Sequence, residues 1–159
     1  ILDNVIPYIE REEAKMESEP LKILGALEGS RIRNASFSVC ASCHRVPVMD
    51  GHTEAIWVKF EDEISEREVK EAFEDFNTDV NIKTPFAPRK PIILREERDR
   101  PQPKLDRDAG RGMSVSVGRI RPGRMKNEIK YVAVGHNTIR GAAGASILNA
   151  EVMVKRGYI

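Results

Sequence analysis

Two side chains of complementary chemistry stand seven positions apart, Arg45 and His52, in the run Cys43-His44-Arg45-Val46-Pro47-Val48-Met49-Asp50-Gly51-His52. Arginine grips a carboxylate or phosphate with a planar fork of donors. Histidine is the side chain most readily tuned to move protons near neutral pH. Together they make an anion clamp beside an acid–base group, provided both reach the same space. If Asp50-Gly51 closed a regular two-residue hairpin, His52 would face Met49, leaving Arg45 and His52 on one face but about 13 Å apart at ~3.3 Å per residue. That is too far to hold one small substrate. Pro47 disfavours a regular central strand, so Pro47 to Gly51 is expected to loop out and bring its ends together. The plain alternative is a surface arginine and a hydrogen-bonded structural histidine.

Three other sets could do chemistry. Glu19-Pro20-Leu21-Lys22 places a carboxylate and an ammonium three apart, on one side of a helix. They form either a weak surface ion pair or a receptor for the ammonium and phosphate of one zwitterionic ligand. Asn137-Thr138 precedes the small residues Gly141, Ala142, Ala143 and Gly144. Asn or Thr is expected to cap a helix there, and the flat patch permits close approach of a second helix or a ligand. It is no dinucleotide fingerprint, because the Gly-x-Gly-x-x-Gly spacing is missing. Cys40 and Cys43 are the only cysteines. With no second pair, a four-thiolate zinc site within the chain is excluded. They lie in the alternating run Ser36 to Cys43, where positions i and i+3 of a strand face opposite sides, and they read as small buried fillers. His44 and His136 read as structural.

The elements that must position these residues belong to a chain of 159 residues, 40% hydrophobic and 32% charged, a composition that suits one soluble domain with a real core. Its 26 basic and 25 acidic residues give a net charge of +1. Basic and acidic residues interleave, so nothing calls for nucleic acid. No apolar run approaches the roughly 20 residues needed to span a bilayer, and no secretory signal is visible. Free cysteines fit a reducing, cytoplasmic compartment. The chain opens on Ile1 and not on Met, which reads as a piece of a longer protein.

Helix formers from Glu10 to Leu27 predict a helix restarting at Pro20. Residues 36 to 46 read as a strand and residues 53 to 60 as a second. Ser65-Glu66-Arg67-Glu68 is a capping box opening an amphipathic helix through Val69, Ala72, Phe73 and Phe76. Ile92 to Leu94, Met113 to Arg121 and Glu128 to Gly135 read as further strands, the last two joined at Pro122-Gly123. Between them, Arg95 to Gly112 is long, charged and irregular. A loop of that kind is usually functional or interfacial; a merely solvated loop is the alternative. A last helix should run from near Asn137-Thr138 to about Arg156. The order β-β-α-β-β-β-α describes an α+β fold, a mixed, largely antiparallel sheet with helices packed on one face.

Five stretches together resemble the aspartate-semialdehyde dehydrogenase family, in its archaeal and fungal branch. They are Glu19 to Lys22, Ser42-Cys43-His44-Arg45-Val46 continuing to Asp50-Gly51-His52-Thr53-Glu54, Asp99-Arg100-Pro101-Gln102-Pro103, Gly112-Met113-Ser114-Val115, and Asn137 to Gly144. They span nearly the whole chain in family order. Each alone is weak; jointly they are specific. The resemblance implies a reductase that converts β-aspartyl phosphate to aspartate semialdehyde and phosphate with NADPH, in lysine, threonine and methionine synthesis, through a cysteine thioester. Residue by residue, His52 matches the acid–base histidine and Arg45 the clamp on the substrate α-carboxylate. Glu19 matches the acid near the substrate ammonium, and Lys22 the lysine that helps bind phosphate. Asn137 and Thr138 match the end of the NADP pocket. The family's Asn-Cys nucleophile turn and its Gly-rich phosphate loop have no match here, and neither Cys40 nor Cys43 takes the nucleophile's place. Residues 1–159 therefore resemble the substrate-binding and dimerisation domain, with 137–159 a C-terminal helix packing toward the enzyme's own N-terminal nucleotide-binding domain. A homodimer or homotetramer is implied, as is inactivity of this segment alone. Rival readings are a malonyl-coenzyme A reductase of similar fold, which binds no amino group and should lack Glu19 and Lys22, the more distant acetylglutamyl-phosphate reductase, and a non-catalytic oligomerisation module.

Overall fold

The computed structural model describes residues 2–79 and 83–159, without the side chains of 77–79. It divides into two compact units, Ile1–Pro47 and Val48–Ile159, each described by itself.

In the first unit, helix α1 (Glu12–Ile23) runs unbroken through Pro20. It ends earlier than the apolar residues suggested, at the Leu24 cap. The residues beyond form a hairpin of β1 (Ala26–Glu28) and β2 (Arg31–Arg33), with Glu28 opposite Arg31. Its two-residue turn has Gly29 at φ 63, the placement of glycine in a type II′ turn. No strand forms over residues 36 to 46, contrary to expectation; the one ladder contact there is an antiparallel bridge between Ile6 and Arg45. The backbone is extended but bonds a helix flank. The amides of Ala41 and Cys43 donate to the carboxylates of Glu17 and Glu13, at 3.0 and 2.9 Å. Two residues of extended chain span ~6.7 Å and four residues of helix ~6.0 Å, so the spacings match. Without a sheet to bury them, the cysteines are not buried fillers: Cys40 is exposed and Cys43 half-buried.

The second unit is built on a four-stranded sheet in the order β3-β6-β5-β4, of β3 (His52–Lys59), β4 (Ile92–Arg95), β5 (Val115–Pro122) and β6 (Glu128–Gly135). Two of its pairings are antiparallel and β4–β5 is parallel, which is the mixed α+β sheet expected. Helix α2 (Glu66–Asp79) covers one face. The capping box closes its start: Ser65 N and Oγ donate to Glu68 Oε2 at 2.8 and 2.6 Å, and Glu68 N donates to Ser65 Oγ at 3.2 Å. Those bonds hold the Glu68 carboxyl below its ordinary range. Val69, Val117, Ile120 and Ile129 form the core between helix and sheet, and Phe73 meets Tyr131 edge-on at 5.6 Å. Each such aliphatic side chain contributes about 1.5–3 kcal/mol when fully buried.

The Arg95–Gly112 segment, with the short helix α3 (Pro103–Asp106), lies on the opposite face of the sheet. Gly118 is required there, since a Cβ would sit 2.6 Å from the Arg100 carbonyl. After β6 the chain makes a π-helical turn, Ile139–Ala143, and continues as α4 (Gly144–Lys155). Gly144 packs tightly, a Cβ there falling 2.5 Å from Met113 Sδ, whereas Gly141, Ala142 and Ala143 are exposed. No described helix is long and apolar enough to cross a membrane.

Candidate active site

The backbone of Arg45 is held in both directions by Ile6: Ile6 N donates to Arg45 O at 3.1 Å and Arg45 N to Ile6 O at 2.9 Å. Its side chain is exposed. Among the described residues, neither hydrogen bond nor ion pair engages the guanidinium. A fixed root with an uncommitted fork is what carboxylate recognition needs.

Glu19 and Lys22 sit exposed on α1. At 100° per residue they are roughly 60° apart and on the side of the helix away from Glu13 and Glu17. They do not pair with each other: among the described residues no salt bridge or hydrogen bond engages either side chain. The weak surface ion pair allowed by the sequence is therefore not made. The carboxylate and ammonium remain available to a ligand bearing both charges, on a different flank of α1 from the one that secures residues 41 to 43.

His52 is the first residue of β3, an edge strand. It stands opposite Gly135 of β6, and its imidazole is exposed, with no side-chain partner among the described residues. The turn before it is closely fixed. Gly51 has φ 107, a conformation L side chains rarely adopt, and its amide donates to Asn137 Oδ1 at 2.8 Å. The Asp50 carbonyl accepts from Arg107 Nη1 at 3.3 Å. Arg45 belongs to the first unit and His52 to the second.

Asn137 and Thr138 do not cap the following helix as the sequence suggested. The Thr138 side chain makes no capping bond, and Asn137 Oδ1 is taken by Gly51. His136, two positions earlier than Thr138, takes the role. It is buried, and its Nδ1 lies 3.4 Å from the Ile139 amide, which donates to it, and 3.3 Å from Thr138 Oγ1. A π-helical turn follows because Gly141 N and Ala143 N reach back five residues, to His136 O and Thr138 O. Asn137 is half-buried, Thr138 is exposed, and Gly141 to Ala143 offer a bare surface next to them. A Cβ on Gly141 would meet nothing closer than 3.7 Å.

Sequence reasoning did not single out Asp106, the most deeply placed charge among the described residues. It is fully buried and accepts from Arg100 Nε and Nη2, at 2.8 and 2.6 Å, and from Gln102 N at 2.6 Å. Arg95 Nε lies 2.8 Å away as a further ion pair. Burial raises its carboxyl, but the Arg100 hydrogen bonds, the Gln102 amide and the Arg95 charge outweigh it and leave the group below its usual range. The next residue is Arg107, which holds the turn before His52. The available signal was the charge density of the Arg95–Gly112 segment, but nothing in it says which acid goes inside.

The family model described as semialdehyde dehydrogenase, dimerisation domain, matches residues 1–140. Over its whole length the chain is 58% identical to an aspartate-semialdehyde dehydrogenase of Archaeoglobus fulgidus, covering 45% of that protein. The corresponding protein of Aspergillus fumigatus is 45% identical over 100% of this chain and 46% of its own. Among solved structures, aspartate semialdehyde dehydrogenase with NADP from Candida albicans superposes with a TM-score of 0.86 at 42% identity, over 100% of this chain and 46% of that one. Aspartate semialdehyde dehydrogenase II from Vibrio cholerae gives 0.75 at 30% identity, over 98% and 42%. The chain spans about half the length of the curated relatives it matches.

Proposed function

The chain belongs to the semialdehyde dehydrogenase dimerisation-domain family, and from that premise we propose that it is the substrate-binding part of an NADP-dependent aspartate-semialdehyde dehydrogenase. The complete protein would reduce β-aspartyl phosphate to aspartate semialdehyde and release phosphate, in the route to lysine, threonine and methionine. Its nucleophilic cysteine and most of its NADP site would lie in an N-terminal nucleotide-binding domain, toward which residues 137–159 would pack. The cofactor supplies the hydride when bound, and Asn137 and Thr138 would hold its edge. The reaction would take place in the cytoplasm.

The observation that carries this reading is Arg45: a backbone pinned on both sides to Ile6 and a guanidinium left uncommitted. The fork accepts the substrate α-carboxylate and so orients the carbonyl carbon for attack. Glu19 receives the ammonium and Lys22 the phosphate, which suits two opposite charges that share a helix flank without pairing. His52 takes the proton of the attacking thiol and returns one as the aldehyde forms. Trp57, on the face of β3 opposite α2, is exposed at 68%, and the sheet face around it would build the subunit interface of a homodimer or homotetramer.

The test is Arg45→Lys and His52→Ala in the complete protein. A catalytic site loses kcat/KM by roughly 10²-fold or more in each, with fold and assembly intact. Loss of assembly at undiminished specific activity would instead mark a purely structural module and sink the reading.

A further inference from the structure

His52 opens an edge strand, so it lacks the support a mid-strand residue receives from ladder bonds on both sides along its own chain. An imidazole that must meet a reacting atom within hydrogen-bond reach needs another source of order. Two side chains supply it. Asn137 stands two residues beyond Gly135, the ladder partner of His52. Its Oδ1 accepts the Gly51 amide at 2.8 Å, which extends the β3–β6 ladder past its last backbone rung. Arg107 reaches from the segment on the sheet face and donates to the Asp50 carbonyl at 3.3 Å. Between these ties Gly51 turns at φ 107, with its Cα hydrogen facing the Cβ atoms of Arg107 and Pro103.

We propose that Asn137 is a positioning residue for His52: its carboxamide oxygen fixes the Asp50–Gly51 turn from which the imidazole is presented, with Arg107 as a second tie. The inference rests on the reading of His52 as the acid–base group. It gives Asn137 a duty separate from the cofactor contact. A backbone N–H can only donate, so it is the carboxamide oxygen, and not the NH2 end, that holds Gly51. The NH2 end would serve a cofactor as donor. The two duties are therefore separable by substitution. Asn137→Asp keeps an oxygen for Gly51 and removes the donor; Asn137→Ala removes both. A displacement of about 1 Å in a catalytic group is enough to cost on the order of 10²-fold in rate.

The experiment uses the complete enzyme, assayed with aspartate semialdehyde, inorganic phosphate and NADP, with thermal melting to show that each variant is folded. Asn137→Ala should lower kcat about 10- to 100-fold, and any rise in KM for NADP should match that of Asn137→Asp, because both variants lose the NH2 donor. Asn137→Asp should recover most of that kcat and show whatever KM change the cofactor contact carries. In a His52→Gln background, adding Asn137→Ala should cost almost nothing more, because a support has no effect once its load is gone. Arg107→Ala should repeat this pattern at smaller amplitude. The inference is overturned if Asn137→Ala leaves kcat intact and only raises KM for NADP. It is equally overturned if the losses in Asn137→Ala and His52→Gln multiply in full, or if Asn137→Asp gives no rescue. If His52→Gln alone keeps full kcat, the acid–base reading itself falls, a result separate from any outcome at Asn137.

Discussion

Replacing Asp106 by alanine tests how the Arg95–Gly112 segment is held on the sheet. The carboxylate is fully buried and accepts two bonds from the Arg100 fork and one from the Gln102 amide, with Arg95 as a further charge at 2.8 Å. Removing it leaves two cations, with side chains only 24% and 20% exposed, and the half-exposed Glu97, 3.9 Å from Arg100, as a weak remaining counter-charge. Loss of one partner from a buried ionic cluster costs about 3–5 kcal/mol. At roughly 2–4 °C per kcal/mol for a chain of this size, the melting temperature should drop by about 6–20 °C. Urea unfolding followed by far-UV circular dichroism should show a lower midpoint at unchanged slope. Asp106→Asn, which keeps one acceptor, should fall between. A loss under about 1 kcal/mol for Asp106→Ala would refute the reasoning, because it would mean that water already satisfies the two arginines. The same carboxylate gives a sign for pH. Its folded pKa lies below the ordinary value of 3.8, so at acid pH the unfolded chain binds more protons than the folded one. Its contribution is complete well above that value and disappears as pH falls through the folded pKa, a decline that begins below about pH 5. Asp106→Asn should flatten this acid limb.

Gly144→Ala should destabilise the chain by about 1–3 kcal/mol, since the new Cβ would meet Met113 Sδ at 2.5 Å and the backbone oxygen of Ile139 at 2.8 Å; an unchanged melting temperature would show that the start of α4 yields freely. Trp57→Glu should weaken self-association of the complete protein by roughly 30-fold or more, the scale of losing one aromatic anchor of an interface. Sedimentation at graded concentrations checks this, and an unaltered dissociation constant would remove the sheet face around Trp57 from the interface.

The elements most legible in the sequence were those whose code is local. Ser65 and Glu68 signal the start of α2 within four residues, and the bonds form as the box predicts. The strand formers of Glu128 to Gly135 mark β6 end to end. Residues 36 to 46 carry a strand-like alternation, yet form no strand, because two glutamates one helical turn apart on α1 capture the amides that a neighbouring strand would have used. That competition depends on residues about 25 to 30 positions away, and no local pattern reports it. The same holds at Asn137. Its place before a helix suggested a cap, while its partner, Gly51, lies 86 positions earlier. Of the candidate site, the residue types were readable from the sequence. The ties that hold Arg45 to Ile6 and Gly51 to Asn137 were not, because both are long-range.

A common logic connects the buried charge to the exposed histidine. The Arg95–Gly112 segment has little apolar surface, so hydrophobic burial cannot fix it on the sheet, and a solvated loop would supply no stable support to anything beside it. One carboxylate placed inside changes that. Asp106 gathers Arg100, Gln102 and Arg95, and the chain that follows is thereby set down with Arg107 against the Asp50 carbonyl. A buried ionic cluster is a poor source of net stability when an apolar replacement packs as well, but it has directional demands that apolar contacts lack. Its donors must arrive at fixed angles, so it selects one loop conformation among many. In this chain that selection has a use: it stations a guanidinium at the turn from which His52 is presented. A version of the segment repacked with apolar residues could be as stable and still leave His52 poorly aimed, which is why the cluster is better understood through the turn it orients than through the free energy it adds.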